Sequence, residues 1–180
     1  MKAVQGSPGI CARCSTVFGS CCVACGDDDI HHTFVSEHEA ALISGLPVSL
    51  DGDPLMSEPN SRVFINRIGS IFPDRLEDVV KAFPVNKTHR SLAVDCFGRC
   101  TLLGSKGCVL EKKGKPLFCR IYPFWFINGV LVTFNNDSCL ALRETSDINE
   151  LMKMFSTDEE RLGELYSRIV SSWLGVKHPG

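Results

Sequence analysis

The chain has 180 residues, and ten of them are cysteines. Cysteine is the residue type whose number and spacing in this sequence point to a chemical role. They fall in two segments, residues 11–25 and 96–139, and the seventy residues between these segments contain none. Thiolates bind zinc, copper(I) and iron–sulfur clusters in preference to hard cations. In a reducing compartment, clustered cysteines indicate metal ligation or redox chemistry more often than disulfides. The cysteines therefore predict a metal site.

The first segment contains a C-x-x-C pair, Cys11 and Cys14, and this spacing predicts a tight turn that aims two sulfurs at one point. An adjacent pair follows at Cys21 and Cys22, and Cys22 forms a second C-x-x-C with Cys25. A thioredoxin-like redox motif is disfavoured, because nothing before Cys11 resembles a strand. Side chains of adjacent residues usually diverge, so Cys21 and Cys22 are not expected to ligate one metal. Two four-thiolate sites, or one site plus core thiols, both remain open.

The second segment is basic as well as rich in cysteine. Residues 96–120 carry six lysines and arginines, and Glu111 is their one carboxylate. A divalent ion held by four thiolates has a net charge near −2, which needs cations and N–H donors around it. Arg120 follows Cys119 directly and is the predicted donor; the alternative is a solvated surface arginine. We expect this segment to meet the first one, with at least four sulfurs converging.

The cysteine pattern, with the motif Pro-Leu-Phe-Cys-Arg-Ile-Tyr-Pro-Phe at residues 116–124, resembles the YkgJ-type cysteine-cluster family, which is regarded as chelating zinc or iron. The resemblance spans roughly residues 9–140. Six residues lie between Cys14 and Cys21, more than in the family pattern, so Cys25 is an alternative ligand. Cys25 and Cys96 lie outside the pattern. The resemblance implies eight metal ligands: Cys11, Cys14, Cys21, Cys22, Cys100, Cys108, Cys119 and Cys139.

The spacing leaves the metal open between zinc and iron, including an iron–sulfur cluster. The C-x2-C-x2-C-x3-C-P run of bacterial ferredoxins is absent. Structural zinc sites usually combine two C-x2-4-C turns, and the family match contains only one such turn. Neither pattern therefore decides the metal.

Periodicity and capping signals predict an α+β fold. Ser36 and Glu39 have capping-box spacing for a helix ending at Gly45, and Thr157 and Glu160 have the same spacing for a C-terminal helix. Apolar residues repeat at helical spacing up to Pro73 and again up to Pro84.

Between these helices, residues 45–60 are expected to form a loop and residues 91–95 a strand. Asn128-Gly129 between apolar runs predicts a β-hairpin. We expect a small irregular domain of short helices and a hairpin around the cysteine cluster at residues 1–145. A helical extension at residues 146–180 should pack on the same domain.

Composition narrows the classes of function. Nineteen basic residues against twenty-one acidic ones give a net charge of −2, which argues against a nucleic-acid partner. No apolar run reaches about 18 residues, so no membrane span is expected. The first nine residues lack the apolar core of a signal peptide, so we expect the protein in the cytoplasm.

Three functional interpretations follow. The favoured one is a metal-binding protein whose partner is the metal ion, with any protein partner unknown. The second is a metal-dependent enzyme that uses the cluster for methyl transfer or redox chemistry, by analogy with flagellin lysine methylases, which contain a similar cysteine region. The third is an exported, disulfide-rich domain.

Overall fold

The computed structural model of the chain describes residues 9–17, 22–23, 33–46, 52–105 and 107–176. These residues form an α+β fold, as predicted. The helices are α1 (Ile10–Val17), α2 (Glu37–Ser44), α3 (Arg62–Ile71), α4 (Leu76–Ala82), α5 (Leu117–Ile121), α6 (Leu140–Glu144), α7 (Ile148–Met154) and α8 (Glu159–Leu174). The strands are β1 (Phe34–Val35), β2 (Leu55–Pro59), β3 (Thr88–Leu92), β4 (Leu103–Gly104), β5 (Gly107–Cys108), β6 (Phe124–Ile127) and β7 (Val130–Thr133).

A three-stranded antiparallel sheet in the order β1-β3-β2 lies beside α2. Strand β2 corrects the prediction of a loop through residue 60, because Leu55 pairs with Leu92 and Pro59 with Thr88. Pro59 has no backbone N–H to donate, which is tolerated at the end of an edge strand. Because proline is more typical of loops, the composition of this segment did not indicate a strand. Strand β3 also begins and ends earlier than the predicted 91–95.

The predicted helix boundaries are confirmed with one exception. The capping box of α2 is present: Ser36 Oγ accepts from the N–H of Glu39, and the Ser36 N–H donates to the Glu39 carboxylate. The helices before Pro73 and Pro84 form as α3 and α4. Helix α8 begins one residue later than predicted, because Asp158, rather than Thr157, accepts the hydrogen bond from the N–H of Arg161.

The predicted hairpin forms from β6 and β7, with Asn128 and Gly129 at φ angles of 50° and 77°. Positive φ at both central residues suits the twist of a two-residue hairpin. Trp125 on β6 is buried, and its indole N–H donates to the carbonyl of Ile71 at 2.6 Å. The hairpin is thereby joined to the end of α3.

Two hydrophobic cores stabilise the fold. The main core lies among α3, α4, α5, β6 and α8, and it contains Phe72, Trp125, Ile169 and Trp173. The C-terminal helices α7 and α8 contribute directly to it. The smaller core lies where α2 meets the sheet and includes Val35, Leu92 and Leu102, with Cys100 and Cys108 packed against it. In the part of the chain that is described, no helix is both long and apolar enough to cross a membrane.

Candidate thiol-lined metal centre

A cavity of about 280 Å³ lies between the two cores and collects cysteines from both ends of the sequence. Its walls include Ile10 and Phe118 from the main core and Leu92 and Leu102 from the smaller one. We call it the thiol cavity. Seven cysteines line it: Cys11, Cys14, Cys22, Cys100, Cys108, Cys119 and Cys139. The two cysteine segments therefore meet, as the sequence predicted.

Helix α1 supplies the first two thiols. Cys11 and Cys14 lie three residues apart on this helix, so the prediction of a tight turn at the C-x-x-C pair was wrong. Residues at i and i+3 share a helix face, so both side chains reach the same cavity. Arg13 of α1 forms a two-point ion pair with Glu144 of α6, at 3.3 and 3.1 Å. This contact places α1 beside α6, and Cys139 is the residue directly before α6.

Backbone pairing brings Cys22 to the second segment. The carbonyl of Cys22 accepts a hydrogen bond from the N–H of Cys100 at 2.8 Å, and Val23 forms an antiparallel bridge with Arg99. Two positions separated widely in sequence are thus fixed at the same edge of the cavity. Cys108 follows on β5, which pairs with β4.

Helix α5 carries Cys119 into the cavity. Cys119 lines the cavity, and desolvation raises the pKa of its thiol well above the usual 9.0. The position of α5 is set by Glu39, whose Oε1 accepts from the N–H of Leu117 at 2.6 Å. Thr33 hydrogen-bonds the Cys119 side chain and works in the opposite direction on its pKa.

Arg120, the predicted donor, lies away from the thiol cavity and lines a second cavity between α5 and α8. Successive helical residues point about 100° apart, so a residue next to Cys119 on α5 cannot share its direction. Among the described residues that line the thiol cavity, the cation is Lys115 instead. Its charge lowers the pKa of Cys11 and of Cys108. The excess of basic residues in this segment was the available signal, but adjacency to a cysteine selected the wrong residue.

Burial dominates the titration of the thiols. It raises the pKa of Cys100 from 9.0 to about 11, and it raises the pKa of Cys11, Cys108 and Cys139 as well. Desolvation disfavours the charged thiolate, which accounts for the direction. These thiols are therefore protonated at neutral pH when no metal is bound.

Backbone amides oppose this effect at three of the cysteines. The amide two residues further on lowers the pKa of the thiol at Cys100, Cys108 and Cys139, through Leu102, Leu110 and Ala141 respectively. An N–H directed at a sulfur stabilises negative charge on it, and a metal-bound thiolate needs such donors. The local backbone at these positions is therefore suited to holding thiolates.

Mutual charge effects divide the thiols into two groups. The charges of Cys139 and Cys14 raise the pKa of Cys11, and the charge of Cys14 raises the pKa of Cys139. These three thiols form the first group. The second group contains Cys100, Cys108 and Cys119, and Cys22 raises the pKa of all three. Cys22 also raises the pKa of Cys11, so it lies between the groups.

The donor chemistry of the cavity fits a soft metal. Its described lining residues include no carboxylate and no imidazole, and sulfur ligands select zinc, copper(I) and iron–sulfur clusters. Within the described ranges, no three His, Cys, Asp or Glu side chains are arranged to hold an ion. The prediction that at least four sulfurs converge on one point is therefore not confirmed. Cys21 and Cys25, and with them the prediction for the adjacent pair, lie outside the described residues.

Cys96 is the described cysteine outside the cavity. It is exposed in a turn where the Asp95 carboxylate accepts from the N–H groups of Phe97 and Arg99, at 2.8 and 2.9 Å. This position makes Cys96 a natural control.

Comparison of the chain with family models, with curated proteins and with solved structures found no match.

Proposed function

We propose that this protein binds zinc or iron, including an iron–sulfur cluster, through the thiols of the cavity between its two cores. The observation that carries the proposal is that seven cysteines from distant parts of the sequence line one cavity with no other type of metal-binding side chain among its described walls. The resemblance to the YkgJ-type family points to the same chemistry.

The surroundings supply what a thiolate centre requires. Lys115 provides a positive charge beside Cys11 and Cys108, and backbone amides oppose thiol protonation at three positions. Apolar residues from both cores complete the walls of the cavity. A bound metal would supply a bridge between the two cysteine segments and stabilise the folded state by its binding energy.

The two thiol groups suggest how the ligands divide. Cys22, Cys100, Cys108 and Cys119 make one four-thiolate set, and Cys11, Cys14 and Cys139 make three ligands of another. Cys21, which the family pattern includes, is the candidate for the fourth position. The arrangement thus favours two neighbouring centres, or one larger cluster, over a single ion.

The test is metal analysis of protein purified without oxygen, from cells supplied with zinc and iron. Elemental analysis, sulfide determination and a visible spectrum separate a colourless zinc site from a coloured iron–sulfur cluster. Cys119→Ala should lose metal, whereas Cys96→Ala should retain the wild-type content. Wild-type protein without stoichiometric metal, or equal content in the two variants, would contradict the proposal.

A further inference from the structure

A second cavity of about 300 Å³ adjoins the thiol cavity, with which it shares Lys115 and Pro116. It is bounded by α2, residues 113–117, α5 and α8. We call it the basic cavity, because four cations line it: Lys113, Lys115, Arg120 and Arg168. Of these four, only Lys115 also lines the thiol cavity.

The basic cavity has a surplus of positive charge. Among the described residues that line it, Glu39 is the single carboxylate, which leaves a surplus of about three charges even with His38 neutral. The Glu39 carboxylate is already used: it accepts from Leu117 N–H, from the Ser36 N–H and hydroxyl, and from the Trp173 indole at 3.4 Å. Glu39 therefore offsets one charge while its oxygens are directed to the protein.

Arg120 on α5 and Arg168 on α8 both line the basic cavity. Arg120 is half-buried and Arg168 is exposed. Among the described residues neither guanidinium has a salt-bridge partner. Two positive charges held close together repel each other, which is unfavourable in free energy. An anion bound between them removes this repulsion.

The remaining walls are of two kinds. Ser171 and Ser172 of α8 offer hydroxyl groups on the same side as Arg168. Ile43, Pro116 and Leu117 form an apolar wall on the other side. The site therefore suits a ligand with one anionic end and a small apolar body.

We propose that the basic cavity binds a small phosphate monoester, with its phosphate between Arg120 and Arg168 and its organic part against Pro116 and Leu117. A phosphate carries a charge of about −1.5 to −2 and three acceptor oxygens, so it matches this surplus better than a carboxylate does. Guanidinium groups bind such oxygens in pairs of hydrogen bonds. A cavity of about 300 Å³ is at the small end of ligand sites, which indicates a compact molecule.

The proposal does not rest on metal binding, and its test is independent of it. Calorimetric titration of the 180-residue protein would use inorganic phosphate, phenyl phosphate and benzoate, at matched ionic strength. Phenyl phosphate is expected to bind most tightly, since it alone provides both the phosphate and the apolar part. Benzoate provides the apolar part with a carboxylate and is expected to bind most weakly.

Three variants assign the binding to this cavity. Arg168→Gln, at an exposed position, and Arg120→Gln should each weaken phenyl phosphate binding by about tenfold, since each loses a charge-assisted pair. Arg161→Gln is the matched control, because Arg161 is exposed on the same helix but does not line the cavity. No saturable binding at millimolar phenyl phosphate would overturn the proposal. Equal weakening in all three variants would also overturn it, by showing a general charge effect.

Discussion

Glu39 and Leu117 are 78 residues apart in sequence, yet the Oε1 atom of Glu39 accepts the backbone N–H of Leu117 at 2.6 Å. This bond fixes the start of α5 against α2. Helix α5 in turn presents Cys119 to the thiol cavity and Arg120 to the basic cavity. One buried carboxylate therefore positions the element that both sites share.

Glu39→Ala is expected to destabilise the metal-free protein by about 2–4 kcal/mol, because it leaves several buried donors without an acceptor. Glu37→Ala on the same helix is the control, since Glu37 is exposed and its loss removes only about 0.3–1 kcal/mol of helix-end electrostatics. Urea unfolding followed by circular dichroism measures both. Equal free energies of unfolding for the two variants would show that the Glu39 bonds are dispensable.

Single cysteine substitutions should reveal whether the cavity holds one centre or two. Cys139→Ala removes a thiol of the first group, and Cys100→Ala removes a thiol of the second. With two centres of equal occupancy, each variant should retain about half of the wild-type metal, since the four-ligand set of the other centre is intact. Elemental analysis per mole of protein gives the result. Complete loss in both variants would instead indicate a single cluster that spans the groups.

Lys115→Met should weaken metal binding by about tenfold, because the variant loses a positive charge beside Cys11 and Cys108 while keeping most of the side-chain volume. The pKa of both thiols should rise in this variant. Competition with a chromophoric chelator measures the affinity. Lys112→Met is the control, because Lys112 is exposed and does not line the cavity. Unchanged affinity in Lys115→Met would mean that the amides alone balance the thiolates.

The metal-free protein should lose stability in alkali. Burial raises the pKa of Cys100 from 9.0 to about 11, so the folded state keeps the proton more strongly than the unfolded state does. This contribution is fully present below pH 9 and is lost as the pH rises from about 9 to about 11. Thermal unfolding across this range should show a smaller decrease in Cys100→Ala than in wild type or in Cys96→Ala. Identical profiles in all three proteins would exclude Cys100 as a contributor.

Metal-loaded protein should instead lose its metal as the pH falls. Binding requires deprotonated thiols, so protons compete with the metal and acid releases it. Titration with acid, followed by free-metal determination, should give a steep release because several thiols take up protons together. Retention of the metal in acid would be inconsistent with thiolate ligation.

Local signals in the sequence predicted most of the elements that position the site. The capping box at Ser36, the prolines after α3 and α4, and Asn128-Gly129 each act over a few residues, and each predicted its element. Strand β2 was missed because its pairing with β3 is a long-range relationship that Pro59 obscures.

The sequence predicted only part of the site. Clustering predicted that the two cysteine segments meet, but the orientation of α5 decides that Lys115, and not Arg120, lies at the thiols. That orientation depends on Glu39, which no motif associates with the cysteines. The basic cavity was missed for the same reason, since α8 brings Arg168 to α5 only through tertiary packing.

The position of the thiol cavity between the two cores has a consequence for synthesis on the ribosome. Cys11 and Cys139 are 128 residues apart, so at about 5–20 residues per second roughly 6 to 26 seconds pass between their translation. During that interval the early cysteines have no partner from the later segment and remain accessible to oxidants and stray ions. Under the proposed function, complete metal loading therefore follows translation past residue 139, and a ribosome that stalls earlier would leave a chain whose thiols are available for non-native pairing.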